Sequence, residues 1–537
     1  MNNTITSDNL IYLSHYQFFT ALVCIIEIFL KMKKFIGSAG RVSFVIFISR
    51  LSGYVRDMSV AAFIGAGPLG DALMAAFKLT NLFRAIFSEG AMSAALVPAI
   101  SQSISTHGSN YARVVASHVF STLLLILILF TGFIFYQMEN FILVTNPGFT
   151  SCPDTFSLAV ELSYIMFPYL TFISASAFYG AILQTKKVFV PYAATSIILN
   201  ALLISALYIN DFLHLNSAVY AFAYGLFISG ICELSWMIFC SKRYNSRLYL
   251  RKPIMSRYVR TILKRILPGI FGAGMVQISV WCDMLILSFY VGGISYLYFA
   301  DRIIQLPLAI FSTANSIVLL QSLSKGNATS DEKNSRFNRT FRITLGFILP
   351  SAAGIFVVGK EAIEVLFMRG AFSVEAATNT GIILQILSIA LPFQAMSKVY
   401  YAAINATGNT STPVKFSLIS LCINISLSLI LMSSIGFRCV AVATVVSSAA
   451  QFIMLIIYSE LKCINSKLSF ETKRDTLKYA IASIVMMIIL YYMKGESISS
   501  VELLSYVIAS VTTYGCTLFL LRGRLFIDLC YKKSKIL

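Results

Sequence analysis

Charge is what this sequence has least of. Asp, Glu, Lys and Arg make up 12% of its 537 residues, about half the roughly 25% of a soluble domain. That shortage, with 57% hydrophobic residues and a mean hydropathy of +0.78, excludes a soluble domain and implies an integral membrane protein with many spans. Acids are scarcer still: 23 against 42 Lys and Arg, a net charge of +19. The basic residues sit mostly in short loops between apolar segments, where membrane topology explains them better than nucleic acid does. The four histidines, His15, His107, His118 and His214, are scattered. Cys24, Cys232, Cys240, Cys282, Cys422 and Cys516 fall in or beside apolar stretches, as small packing residues do. The sequence therefore offers no Cys/His metal cluster and no disulfide framework. Nor does a small-residue cleavage site follow the apolar segment 11–30. Residues 1–31 are read as an N-terminal extension, with Met32-Lys33-Lys34 resembling a bacterial start.

Present in abundance are apolar stretches of about 20 residues or more, long enough to cross a bilayer. They run from 36–62 to 500–521 and predict an all-α membrane protein of about fourteen transmembrane helices. Alternate loops differ in charge. Lys186-Lys187, the run from Lys242 to Arg265, and the tail Lys532-Lys533-Lys535 are basic, whereas Gly65-Ala66-Gly67 and Gly292-Gly293 are bare. The positive-inside rule then places Lys33 and the C-terminus in the cytoplasm.

The two halves also repeat. Asp57-Met58 recurs as Asp283-Met284, and Ala85-Ile86-Phe87-Ser88 as Ala309-Ile310-Phe311-Ser312. That sets Lys78 opposite Arg302 and Asn81 opposite Gln305. Pro168 matches Pro392, Pro191 matches Pro413 and Asn200 matches Asn424, all at offsets of 222–226 residues. Six spans separate equivalent helices, so the copies run parallel, an arrangement that places a substrate near the repeat interface. The expected organisation is an extension 1–31, an N-lobe 32–240 (spans 1–6) and a basic cytoplasmic linker 241–265. A C-lobe 259–460 (spans 7–12) follows, then 461–537 with two further spans and a basic tail.

Between Ser49 and Pro98 the apolar pattern is broken by Arg50, Arg56, Asp57, Asp71, Lys78, Arg84 and Glu89. A charge near the bilayer centre costs roughly 2.5–3.5 kcal/mol on insertion scales. So many are tolerated only when they face a protein interior or a wet cavity, and an excess of cations there suits an anionic guest. Arg50 and Asp57 share a helix face, Lys78, Asn81 and Arg84 form a three-spaced row, and Asp301-Arg302 with Gln305 occupies the corresponding place in the other half. Arginine stays protonated when buried, and its planar fork matches phosphate oxygens bidentately. Several such cations converge on a diphosphate in this reading, with Asp57 and Asp71 holding them apart.

These residues carry a resemblance. Ser49-Arg50-Leu51-Ser52-Gly53-Tyr54-Val55-Arg56-Asp57, Gly65-Ala66-Gly67, Asp71-Ala72, Asn81-Leu82-Phe83-Arg84, Ser88-Glu89-Gly90-Ala91 and Val97-Pro98 resemble the signature of the MurJ/MviN family of lipid II flippases. So does Tyr298-Phe299-Ala300-Asp301-Arg302 followed by Leu306-Pro307. The resemblance implies outward movement of undecaprenyl-diphosphate-linked disaccharide-pentapeptide for peptidoglycan synthesis, by alternating access and without catalytic residues. It implies a multi-pass protein of the bacterial inner membrane, with lipid II, membrane lipids and the cell-wall synthesis machinery as partners and no nucleic acid.

By the same resemblance Arg50, Arg56, Asp71, Arg84 and Arg302 match the family's cavity residues. Two departures alter the charge: Ala85 stands where relatives often carry an arginine, and Gln305 where some carry an acid. A sodium ion or the membrane potential is the implied driving force. Asp283, Asn424, Val440 and Thr444 match a sodium site of some relatives, with Ser428 replacing an acidic ligand. Rival readings are export of another polyprenyl-linked saccharide or of a drug, and a membrane glycosyltransferase polymerising lipid II. The glycosyltransferase would need an outward acid from among Glu139, Asp154, Asp211, Glu361 and Glu364.

Overall fold

The computed structural model describes residues 38–87, 91–214, 217–253, 259–261, 277–324, 329–462, 466–495 and 499–525. Helices dominate, and the described residues contain no strand. Residues 1–31 and Glu89 lie outside them. In chain order the helices are α1 Ser38–Phe63, α2 Pro68–Phe87, α3 Ala91–Tyr136, α4 Met138–Thr145, α5 Pro153–Met166, α6 Tyr169–Thr185, α7 Val190–Phe212 and α8 Ala218–Arg243. The second half continues with α9 Gln277–Leu287, α10 Gly293–Pro307, α11 Ala314–Ser324, α12 Ser330–Phe367, α13 Val374–Ala406, α14 Ser411–Ile435 and α15 Cys439–Leu461. Last come α16 Phe470–Met493 and α17 Ser500–Leu520.

Local chemistry explains where these helices begin and bend. Thr329, Ser373 and Ser469 cap α12, α13 and α16 with side-chain oxygens, and Ser499 with Glu502 forms a capping box on α17. Proline opens α2 and α5, where its missing N–H costs no helical hydrogen bond. Pro307 closes α10, and a π-helical turn, Leu308–Thr313, leads on into α11. Gly108, at φ 83°, kinks α3.

Ten stretches among the described residues are long and apolar enough to cross a membrane. One of them, Ser411–Leu461, contains both α14 and α15. The first two helices, of 26 and 20 residues, are long enough but carry the charges singled out above. The expectation of about fourteen spans therefore rests on the sequence rather than on that count.

The packing repeats as the sequence does. In the first half α2 packs on α5, α3 on α6, α7 on α8 and α6 on α8. In the second, α10 packs on α13, α12 on α13, α14 on α15 and α13 on α15. The last two helices stand outside this scheme. α16 packs along α12, α17 packs against both, and Tyr514 donates to the Gly346 carbonyl at 2.7 Å.

Candidate functional site

Between the halves lies a cavity of about 1060 Å³, at the top of the roughly 300–1,000 Å³ range of small-molecule pockets. Among the described residues the first half lines it from α1, α2 and α7, and the second from α9, α10, α13, α14 and α15. Lining positions on α2 fall in its C-terminal part (Phe77 to Arg84). On α13 they run from Leu387 to Asn405, and on α14 from Pro413 to Asn424. The cavity therefore extends toward the end of the bundle that holds the α13–α14 turn.

The opposite end is shut by backbone. The Ala371 N–H donates to the Ala62 carbonyl at 2.8 Å, joining the α12–α13 turn to the end of α1. A Cβ on Gly370 would stand 2.2 Å from that same carbonyl oxygen. Nearby, the Gly148 N–H donates to Ser288 Oγ at 2.9 Å, and there a Cβ would meet the Ser288 backbone at 2.3 Å. Asp71 belongs to this closed end and does not line the cavity, which corrects its expected place among the cations. Seven residues, about 10 Å of helix, separate it from Lys78. It sits in the first turn of α2, where its carboxylate accepts from the Gly292 N–H at 2.6 Å and from the Ser295 N–H and O–H at 2.9 and 2.8 Å. A carboxylate on the open N–H groups that begin α10 satisfies them and complements the helix dipole. Asp71 thus ties one half to the other.

At the inner end of the cavity, cations meet around a buried carboxylate. Asp57 is 2% exposed. It accepts Arg56 Nε and Nη2 at 3.0 and 2.6 Å and the Tyr298 hydroxyl at 2.7 Å, while Arg302 Nε lies 3.1 Å from its other oxygen. Arg56 Nη1 donates to Asn200 Oδ1 at 3.0 Å, and Asn200 Nδ2 donates to Ser52 Oγ at 2.9 Å. Arg302 Nη2 donates to the Tyr298 hydroxyl at 2.9 Å. The Arg302 guanidinium stands 4.6 Å and Lys78 Nζ 5.8 Å from the Tyr298 ring centre, so the repeat-related pair Lys78 and Arg302 meets at one aromatic ring.

Further toward the mouth, Arg84 Nε donates to Asn81 Oδ1 at 3.0 Å, and Arg50 lines the wall while exposed. Asp301 lines it too and accepts from the Gln305 amide. Six cations line the described cavity against three carboxylates, Asp57, Asp283 and Asp301. It is built for an anion.

Of the expected site residues, Arg50, Arg56, Asp57, Lys78, Arg84, Asp301 and Arg302 come together here. Sequence reasoning passed over Tyr298 as a junction and Lys398 as a sixth cation. Lys398 was open to the argument applied to residues 49–98, being a charge inside the apolar stretch 374–405.

Asp283, Asn424 and Thr444 also line the cavity. Asn424 Nδ2 donates to Thr444 Oγ1 at 3.1 Å, which donates to the Val440 carbonyl at 2.8 Å. Asp283 Oδ1, Asn424 Oδ1 and Ser428 Oγ are buried without a hydrogen-bond partner. Unmet oxygens of this kind suit a hard cation such as sodium. Of the outer-loop acids, Glu361 lies 2.6 Å from Lys494 Nζ and Glu364 lies 3.8 Å from Lys360 Nζ, so both have cationic partners.

Comparison with known proteins agrees with this fold. A solved structure titled "Lipid II flippase MurJ, inward closed conformation" superposes with a TM-score of 0.78 at 24% identity, over 89% of this chain and 97% of that one. An inward-facing multidrug resistance MATE family transporter of the MOP superfamily superposes with a TM-score of 0.63 at 16% identity, over 77% and 94%. A probable lipid II flippase MurJ of Rickettsia prowazekii (strain Madrid E) is 32% identical over 420 residues, 78% of this chain and 82% of its own length. The family model for lipid II flippase MurJ matches residues 60–512, and the chain belongs to that family.

Proposed function

We propose that this chain is a lipid II flippase that carries undecaprenyl-diphosphate-linked disaccharide-pentapeptide from the cytoplasmic to the periplasmic leaflet. The observation that carries this reading is the excess of cations in a cavity between the halves of a MurJ family member. Arg50, Arg56, Lys78, Arg84 and Arg302 hold the diphosphate, and the polyprenyl tail stays in lipid. No bond is made or broken, so no catalytic residue is needed. In this reading the fourteen spans after Met32 place Lys33 and the C-terminus in the cytoplasm and the inner membrane is the location. The cavity then opens inward, and the Asp71 contacts close the periplasmic end. Rocking of the two halves exchanges the openings. Asp283, Asn424 and Thr444 supply oxygen ligands for a sodium ion, whose charge would link α9 to α14 and α15.

Depletion of the chain in its bacterium tests the proposal. Lipid-linked disaccharide-pentapeptide is expected to accumulate in the inner leaflet while its synthesis continues. Unchanged precursor levels with normal growth would refute it. Sidedness is tested with single cysteines and an impermeant thiol reagent on spheroplasts. Pro68 and Arg247 are exposed, whereas Ser246 in the same basic loop is 4% exposed and would resist labelling on either side. Labelling at 68 and protection at 247 are expected; the reverse would invert the topology.

A further inference from the structure

The cavity has a wall that a diphosphate does not need. On α13, Gln394, Lys398, Tyr401 and Asn405 follow at helical spacing on one face, and all four line the cavity. Beside them, Ser417 of α14 and Gln451 of α15 complete a network. Tyr401 Oη and Ser417 Oγ are 2.9 Å apart, and Gln451 Nε2 donates to Ser417 Oγ at 3.3 Å and to Tyr401 Oη. Asn405 Oδ1 is buried without a hydrogen-bond partner. Lys398 Nζ donates to Thr313 Oγ1 at 3.1 Å and keeps donors to spare.

Amides and hydroxyls donate as well as accept, which suits sugar hydroxyls, acetamido groups and peptide amides. A diphosphate anion only accepts, and cations serve it better. At the repeat offset fixed by Pro168 and Pro392, the first half has Leu170, Ser174, Ala177 and Ala181, all buried in its own core. The polar stripe therefore exists on one side only. It lies beside the α13–α14 turn, at the mouth of the cavity, while the Asp57 cluster lies at its inner end.

Resting on the flippase reading, we infer that this wall is the subsite for the saccharide–peptide part of the precursor, with Lys398 placed for a stem-peptide carboxylate. The cations of α1, α2 and α10 hold the diphosphate, and the headgroup extends from them toward the mouth along α13.

The full chain in nanodiscs is titrated with two probes, a short-chain polyprenyl diphosphate and the same lipid carrying disaccharide-pentapeptide. Wild type is expected to prefer the second by at least about tenfold, the value of one or two net hydrogen bonds. The combined variant Gln394→Leu, Tyr401→Phe, Gln451→Leu, which leaves every charge of the cavity in place, is expected to lose that preference while bare-diphosphate affinity changes by less than about twofold. A retained preference overturns the inference, as does an equal loss for both probes at unchanged melting temperature, or equal affinity of wild type for both. Should the triple variant not fold, Tyr401→Phe alone removes one oxygen and is expected to cost about threefold to tenfold on the second probe only. No effect of that substitution on the second probe counts against the subsite. If wild type binds neither probe, the flippase reading falls, and the subsite with it.

Discussion

The two halves of this molecule use equivalent helices for unequal work. Asp57 and Asp283 are repeat-related, yet Asp57 is saturated by Arg56, Arg302 and Tyr298, while Asp283 keeps a buried oxygen without a hydrogen bond. The first half brings four cations to the cavity on α1 and α2. The second brings Arg302 and Lys398 with a broad neutral polar face. Where the second half exposes Tyr401 and Asn405 to the cavity, the first buries Ala177 and Ala181 in its core. Repetition supplied a frame of matching helix pairs in the two halves. Divergence within that frame made one wall electrostatic and the other a hydrogen-bonding surface.

The strongest way to break this contrast is to remove the cations. Arg50→Ala, Arg56→Ala, Arg84→Ala and Arg302→Ala are each expected to abolish complementation of a flippase-depleted bacterium, with the protein still in the membrane. Lysine at these positions is expected to rescue only partly, because an ammonium keeps the charge and loses the bidentate fork. Full growth with several alanines combined would sink the electrostatic wall. The four also divide by burial. Arg56 is 7% exposed and held by Asp57 and Asn200, so its alanine variant is expected to lose about 3 kcal/mol of stability as a buried pair is broken. Arg50 is exposed, and its variant is expected to melt like wild type in detergent.

That division marks what could be read from the sequence. Charges inside apolar helices announced Arg50, Arg56, Lys78, Arg84 and Arg302, because burying them without a purpose is costly. The repeat was legible through paired prolines and asparagines at a near-constant offset. The position of Asp71 was not. Its charge inside an apolar stretch set it among the cations, but such a pattern says nothing of what another chain segment brings to the helix end. Only the tertiary approach of Gly292 and Ser295 makes it a tie between halves. The neutral wall was hidden for another reason. Gln, Asn, Ser and Tyr in a membrane helix carry too small an insertion penalty to stand out beside ordinary helix packing.

A second, smaller effect is expected at the closed end. Asp71→Ala removes three hydrogen bonds to a charged acceptor, each worth about 1.5–3 kcal/mol, so the join between halves weakens without touching either wall. Hydrogen–deuterium exchange of the amides at 288–296 and 370–372 is expected to speed up at least about tenfold, since 1.4 kcal/mol already shifts an opening equilibrium by that factor. Residues 77–84 are expected to exchange as before. Acceleration spread evenly over both halves would mean that Asp71 supports the fold generally and does not join the lobes.

The smallest expected effect asks whether the first wall works by charge alone or by aimed guanidinium groups. Asn81 takes Arg84 Nε at 3.0 Å and lines the cavity itself. Asn81→Ala keeps every charge and frees one donor, so affinity for a polyprenyl diphosphate is expected to fall by about 1 kcal/mol, roughly fivefold. Asn81→Asp would hold Arg84 more firmly but adds a fourth carboxylate to a cavity built for an anion, so it is expected to bind more weakly than the alanine variant. Both are measured by titration at low and high salt. Salt is expected to narrow the gap between Asp and Ala, because screening acts on the added charge and not on the lost hydrogen bond. An Asp variant that binds better than Ala would show that orientation of Arg84 outweighs the net charge of the wall.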